Sequence, residues 1–212
     1  MNNINTAFIF LNGVMDNGSS FYKELLINEN NIFCADGGLK HALEMGIFPL
    51  EVWGDFDSVS KSLVEIAEKS GSKIIEFDSR KDFTDGELIL SEISKRGFDK
   101  IVVLGGLGGR TDHLLTNLNL LFKFDNVFFV DEKETIFRVN KKTEIKKQKG
   151  KTISFIPMTD TVSEITLTGF EYPLDKHTLR RGDSICTSNI IKEEKAIIEF
   201  SRGKLLGVIQ NK

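Results

Sequence analysis

Up to about residue 131 the chain alternates short apolar runs with segments of helical spacing. AFIFL (7–11), IFCA (32–35), EVWG (51–54), KIIEF (73–77), KIVVLG (100–105) and NVFFV (126–130) have the length and the branched or aromatic content of strands. Segments 19–28, 38–46, 60–70, 83–96 and 112–123 between them have the spacing of helices, with Ser60 placed to cap the third and Gly71 to end it. Strands that are apolar on both faces and alternate with helices predict a largely parallel sheet covered by helices. Beyond residue 132 the helical spacing stops. ETIFRV, KTISFIPM, SEITLTGF, SICTSNII, KAIIEF and KLLGVIQ predict strands joined by turns, with SRGK (201–204) as the clearest hairpin. The expected fold class is therefore α/β: a mostly parallel sheet flanked by helices over residues 1–131, then a small C-terminal β-sandwich domain over residues 132–212.

Charge sharpens that division. Residues 1–138 carry 14 Lys+Arg against 22 Asp+Glu, while residues 139–212 carry 14 against 9. The switch falls at KKTEIKKQKGK, where six lysines crowd residues 141–151, a pattern that reads as a solvated hairpin or linker. A net charge of −3 gives neither a nucleic-acid nor a membrane surface its usual basic partner. Two cysteines, Cys34 and Cys186, cannot build a disulfide framework or a cysteine-only zinc site. The opening MNNINTAFIFLNG has no basic stretch before its short apolar run, so it reads as a first strand, and the expectation is a soluble, cytoplasmic protein.

The chemistry gathers at the carboxyl ends of the expected parallel strands, where open α/β sheets bind ligands. CADGG holds Asp36 and Gly37, and GDFDS holds Asp55 and Asp57. RKDFTDGE holds Asp82 and Asp85, and GGLGGRTDH runs through Gly106, Gly108, Gly109, Arg110, Thr111, Asp112 and His113. In extended chain Asp55 and Asp57 point the same way, and a divalent cation relieves the repulsion between them. All-oxygen ligation suits Mg²⁺ or Mn²⁺. The plainer alternative is turn chemistry, with Asp57 or Ser58 capping the next helix. Asp82 and Asp85, three apart at a helix start, can share one face. GGLGGRT lacks the Gly-Lys-Ser/Thr ending of a P-loop and the third glycine of Gly-x-Gly-x-x-Gly. Glycines before a helix still offer backbone N–H groups to an anion, and Arg110 adds a bidentate phosphate donor. Trp53 reads as core, and Cys34 as an inert buried thiol. Together these features imply metal-assisted nucleotide chemistry.

ADGGLKHALEMGIFPLEVWGDFDS, KDFTDGE and GGLGGRTDHLLTNL, followed by GFEYPLDKHTLRRGDSICTSN and a final SRGKLL, resemble the thiamine pyrophosphokinase family in order and spacing over nearly the whole chain. The resemblance implies transfer of a pyrophosphoryl group from ATP to the hydroxyl of thiamine, giving thiamine diphosphate and AMP. It also implies a homodimer with the active site between subunits, an N-terminal ATP- and Mg²⁺-binding domain and a C-terminal thiamine-binding domain. Carried over by position, Asp55, Asp57 and Asp85 become metal-binding carboxylates, with Asp36 and Asp82 close by. Arg110 and Asp112, with the glycines before them, match the nucleotide segment, and Ser188 and Asn189 match the Ser-Asn pair at the thiamine pocket. The family often continues Ser-Asn-Glu, whereas Ile190 follows here. Other readings that use the same residues are a related pyrophosphokinase or nucleotide hydrolase with another acceptor, an aspartyl phosphatase, and a non-catalytic thiamine or nucleotide sensor.

Overall fold

The computed structural model describes residues 4–57, 59–77 and 82–211. The chain divides into two compact units, Met1–Glu132 and Lys133–Lys212. In the first, six strands pair in parallel: β1 (Thr6–Phe10), β2 (Ile32–Ala35), β3 (Glu51–Gly54), β4 (Lys73–Glu76), β5 (Lys100–Leu104) and β6 (Val127–Val130). All six fall within a residue or so of the runs read from the sequence. Their order across the sheet is β6-β5-β1-β2-β3-β4. The chain winds outward from β1 to β4, then returns to place β5 on the other side of β1. That reversal opens a crevice between the loops that follow β1 and β5, the place where a doubly wound sheet receives its ligand.

Among the described residues, five α-helices join these strands: α1 (Ser20–Leu25), α2 (Gly38–Glu44), α3 (Lys61–Lys69), α4 (Asp85–Ile93) and α5 (Thr111–Leu120). Tyr22 and Leu26 from the α1 region, Leu39 and Ala42 of α2, and Ala67 of α3 bury against Phe8, Phe10, Cys34, Val52, Val102 and Leu104. Ile89, Leu90 and Ile93 of α4 are fully buried outside that cluster, and α4 lies against β2, β3 and α5. Over the central strands both faces of the sheet are thus apolar and covered, which is why these strands read as continuous hydrophobic runs, while the edge strand β4 is only half-buried. Ser60 takes the N-cap position of α3, but its hydroxyl faces that of Ser62 (3.1 Å) and no backbone N–H. Gly71 follows the last turn in the left-handed conformation.

The second unit is all-β. One antiparallel sheet has the order β12-β9-β14-β7, from β7 (Glu134–Val139), β9 (Thr152–Pro157), β12 (Asn189–Ile190) and β14 (Leu205–Gln210). The other has the order β11-β10-β13-β8, from β8 (Lys142–Lys146), β10 (Thr161–Thr168), β11 (Leu174–Arg180) and β13 (Lys195–Glu199). Phe155 of β9 meets Phe170, just past β10, edge to face at 5.6 Å, joining the two layers of the sandwich.

Three local readings change here. The lysine run contains a true strand: β8 pairs with β13 through five residues and buries Ile145, while its lysines protect an open sheet edge. SRGK is a crossover rather than a hairpin, because β13 and β14 belong to different sheets. There Ser163 donates to the Arg202 carbonyl and Lys204 to the Thr159 hydroxyl, fixing the passage from one layer to the next. SICTSNII is mostly irregular: Asn189 and Ile190 pair with Ile153 and Thr152, and Ile191 makes an isolated bridge with Phe170. No helix among the described residues is long and apolar enough to cross a membrane.

Candidate active site

A cleft of about 650 Å³ opens in the first unit at the carboxyl edge of the parallel sheet. One wall is acidic: Asp36 after β2, Asp57 after β3 and Asp85 at the start of α4. The opposite wall is glycine-rich and carries Gly106, Gly108, Gly109, Arg110 and His113. Leu11–Val14, the loop after β1, lies at the crevice created by the strand reversal.

Carboxylate oxygens of Asp36, Asp55 and Asp57 come within 4.8 Å of one another. This convergence does not arise from an extended segment with alternating side chains. Phe56 has φ +56° and Asp36 φ +44°, so two left-handed turns fold the carboxylates together. A left-handed phenylalanine costs energy that the surrounding packing must supply, and such strain gathers at functional sites. Asp57 N–H donates to Asp55 Oδ1 at 3.3 Å, closing the turn, and Asp36 N–H donates to the Trp53 carbonyl at 2.7 Å. Gly54 makes room: a Cβ there would stand 3.1–3.3 Å from Asp36 Cα, Cβ and Oδ1. The Asp57 carboxyl is held above the ordinary carboxylate range, chiefly by the charge of Asp55. The hydrogen bond to Asp55 adds to this, with smaller parts from burial, Asp36 and Asp85. A cluster of negative charge without histidine or cysteine fits a hard divalent cation better than zinc.

Asp85 completes the acidic wall from the first turn of α4, where Thr84 Oγ1 accepts from Glu87 N–H at 3.2 Å. Asp82 precedes that helix, is exposed and is not among the lining residues, so the two do not share a helical face. Ser58 lies outside the described residues.

The glycine wall has two origins. A Cβ on Gly106 would fall 2.4 Å from the Phe129 ring, so that glycine answers to packing. Gly108 and Gly109 have φ near +75° with ordinary clearance, so they answer to the turn itself. Asn117 of α5 donates to the Gly106 carbonyl at 2.9 Å. Arg110 caps α5 and forks onto Asp112, with Nε to Oδ1 at 3.1 Å and Nη2 to Oδ2 at 2.6 Å. That hydrogen-bonded pair lowers the Asp112 carboxyl and raises the guanidinium. Arg110 is thus a cation at the cleft held in a defined pose, while Thr111 and Asp112 do not line the cleft. Gly37 works from behind: its missing Cβ admits the Asn12 side chain, which would otherwise lie 2.2–2.5 Å away.

Ser188 and Asn189 lie in the second unit. Ser188 is exposed, with φ +58°, and its N–H donates to Ser154 Oγ at 2.9 Å. Asn189 is buried. Its Oδ1 accepts from Tyr172 N–H (3.0 Å) and Ile190 N–H (2.8 Å), and its Nδ2 donates to the Tyr172 carbonyl (2.8 Å). Trp53 is a core residue, with Nε1 donating to Glu51 Oε2 at 3.0 Å. Burial pushes the Cys34 thiol far above its ordinary range, which makes it inert.

Sequence reasoning missed Asn12, Gly13, Val14, Phe83 and Asn117. The Asn-Gly after the first strand was the available signal, but its importance depends on β5 lying beside β1.

Residues 22–131 match the family model described as thiamin pyrophosphokinase, catalytic domain, and residues 134–205 match thiamin pyrophosphokinase, vitamin B1 binding domain. The chain belongs to the thiamin pyrophosphokinase family. Within the family, thiamine pyrophosphokinase of Bacillus subtilis (strain 168) is 33% identical over 177 residues, covering 81% of this chain and 83% of its own. Thiamine pyrophosphokinase 1 of Oryza sativa subsp. japonica is 30% identical over 189 residues, covering 76% and 72%. The crystal structure of thiamine pyrophosphokinase from Bacillus subtilis superposes with a TM-score of 0.84 at 28% identity, covering 98% of this chain and 99% of that one. The yeast thiamin pyrophosphokinase structure, at 15% identity and a TM-score of 0.80, shares the fold.

Proposed function

We propose that this chain is a thiamine pyrophosphokinase that moves the terminal pyrophosphoryl group of ATP to the hydroxyl of thiamine. The observation that carries this reading is a single cleft with carboxylates on one wall and a glycine loop ending in Arg110 on the other. The hydroxyl oxygen bonds to the β-phosphorus, the bond from that phosphorus to the α-phosphate oxygen breaks, and AMP leaves in line. The hydroxyl proton passes to whichever of Asp57 and Asp85 the metal leaves free. The glycine loop and Arg110 receive the phosphates, so much of the catalysis is positioning and charge neutralisation. Asp36, Asp55 and Asp57, with Asp85 beside them, are the residues to hold Mg²⁺, which when bound neutralises charge on the phosphate oxygens. The acidic wall also attracts the cationic thiazolium ring. In the C-terminal unit, Ser188 contacts thiamine and Asn189 fixes the segment that presents it. The enzyme uses ATP and is a homodimer with a shared site, as the resemblance implies, and we place it in the cytoplasm.

Asn at Asp55 or Asp57 keeps the shape and removes the charge. Either variant is expected to lose at least about 100-fold in thiamine diphosphate formation, the scale of removing one electrostatic stabiliser, with an unchanged melting temperature. A folded variant with near-wild-type turnover sinks the metal-site assignment.

A further inference from the structure

Within the first unit, the loop after β1 is tied on two sides. Leu11 N–H donates to the Leu104 carbonyl at 2.9 Å, and Gly13 N–H donates to the Gly105 carbonyl at 2.8 Å. The Gly13 carbonyl is in turn held by His41 Nε2, at 2.8 Å, from the middle of α2. A carbonyl only accepts, so Nε2 carries the proton. The other ring nitrogen faces Asn17, with Nδ2 at 2.9 Å and Oδ1 at 3.1 Å. Asn17 Nδ2 also donates to Glu44 Oε2 at 2.6 Å, on the next turn of α2. With Nε2–H toward Gly13, Nδ1 is left to accept from Asn17 Nδ2.

We infer that His41 is a positioning residue for the nucleotide side of the cleft, an inference that rests on the function proposed above. The path is short and continuous: His41 holds Gly13, Gly13 holds Gly105, and Gly105 begins the loop that carries Gly108, Gly109 and Arg110. There is little slack in it, since a Cβ on Gly13 would lie 2.1 Å from the Gly105 carbonyl oxygen. The same helix starts two residues after Asp36, so α2 sets the acidic wall and the glycine wall together. His41 is absent from the cleft lining and acts only through Gly13. Neither the glycine motif nor the aspartate clusters contain it.

His41→Phe keeps the ring and removes the donor, while His41→Gln restores an amide donor close to the Nε2 position. Losing one such bond and misplacing the loop is expected to raise KM for Mg·ATP about five- to tenfold. KM for thiamine is expected to stay at its wild-type value while the melting temperature falls by only a few degrees, and His41→Gln recovers most of the ATP affinity. Asn17→Ala shifts KM for Mg·ATP the same way by a smaller factor. A parallel titration uses α,β-methylene-ATP, whose scissile bridge cannot break, and is expected to show the same loss of affinity. Wild-type KM and analogue affinity in His41→Phe would overturn the inference. So would equal losses for both substrates with a lowered melting temperature, the mark of a general structural role. If the wild-type chain binds the analogue but forms no thiamine diphosphate, the proposed function fails while the analogue titration still decides the role of His41. If it binds no nucleotide, both fail.

Discussion

Asn189→Ala separates a substrate contact from a structural clip at the residue pair by which the C-terminal unit resembles its family. Asn189 is 2% exposed and makes three hydrogen bonds, two to the backbone of Tyr172 and one to Ile190 N–H. At about 1 kcal/mol net per bond, their loss amounts to about 3 kcal/mol. Tyr172 is 61% exposed, so water recovers part of this and the expected cost is about 2 kcal/mol. For a chain of this size that lowers the melting temperature by about 4–8 °C. Asn189→Asp is not a rescue, because it loses the donor and turns a carboxylate oxygen toward the Tyr172 carbonyl. Ser188→Ala removes an exposed hydroxyl and is expected to change stability by less than about 0.5 kcal/mol while weakening thiamine binding. The assay is thermal unfolding alongside thiamine kinetics on the folded protein. An Asn189→Ala variant that melts like wild type but has a raised thiamine KM would refute the reasoning and make Asn189 a direct ligand.

Two further outcomes follow from side chains away from the cleft. Arg96 forks onto Glu51 at 3.0 and 2.8 Å and lies over the Phe33 and Trp53 rings, 5.4 and 5.7 Å from their centroids. Arg96→Ala leaves the largely buried Glu51 carboxylate short of donors and is expected to cost about 2–3 kcal/mol in denaturant unfolding, with Arg96→Lys recovering only part; no loss would contradict the pairing. Glu144 accepts from Lys146 and Lys195, and these bonds hold its carboxyl down at about 2 against an ordinary 4.5. A depressed carboxyl stabilises above its unfolded pKa and loses that contribution as pH falls from about 4.5 through about 2. The melting-temperature gap between wild type and Glu144→Gln is therefore expected to close over that window and to narrow in 1 M salt; a gap that does not change with pH would contradict it.

The parallel sheet was legible because its central strands β1, β2 and β5 are buried on both faces, and even the edge strand β4, only half-buried, keeps an apolar pair between runs of helical spacing. Strand order was not. Nothing local in LNG shows that β5 will lie beside β1, so the loop that faces the glycine wall stayed invisible until pairing was known. The carboxylates were legible as a set, though their convergence depends on a left-handed Phe56 that no alternation rule supplies. In the second unit, lysine composition hid β8, because an edge strand needs only one buried residue, Ile145, and charges that discourage further pairing. The last turn was misread for a related reason: Ser-Arg-Gly-Lys suits a tight turn wherever it leads. Only the pairing of β13 with β10 and β8, and of β14 with β7 and β9, shows that the chain changes sheets there.

The products formed by the purified chain with ATP, Mg²⁺ and thiamine test the proposed transfer most directly. Thiamine-dependent formation of AMP and thiamine diphosphate in equal amounts is the predicted result. ADP with thiamine monophosphate would keep the nucleotide cleft and overturn the transfer, and nucleotide turnover without any thiamine product would contradict the proposed function.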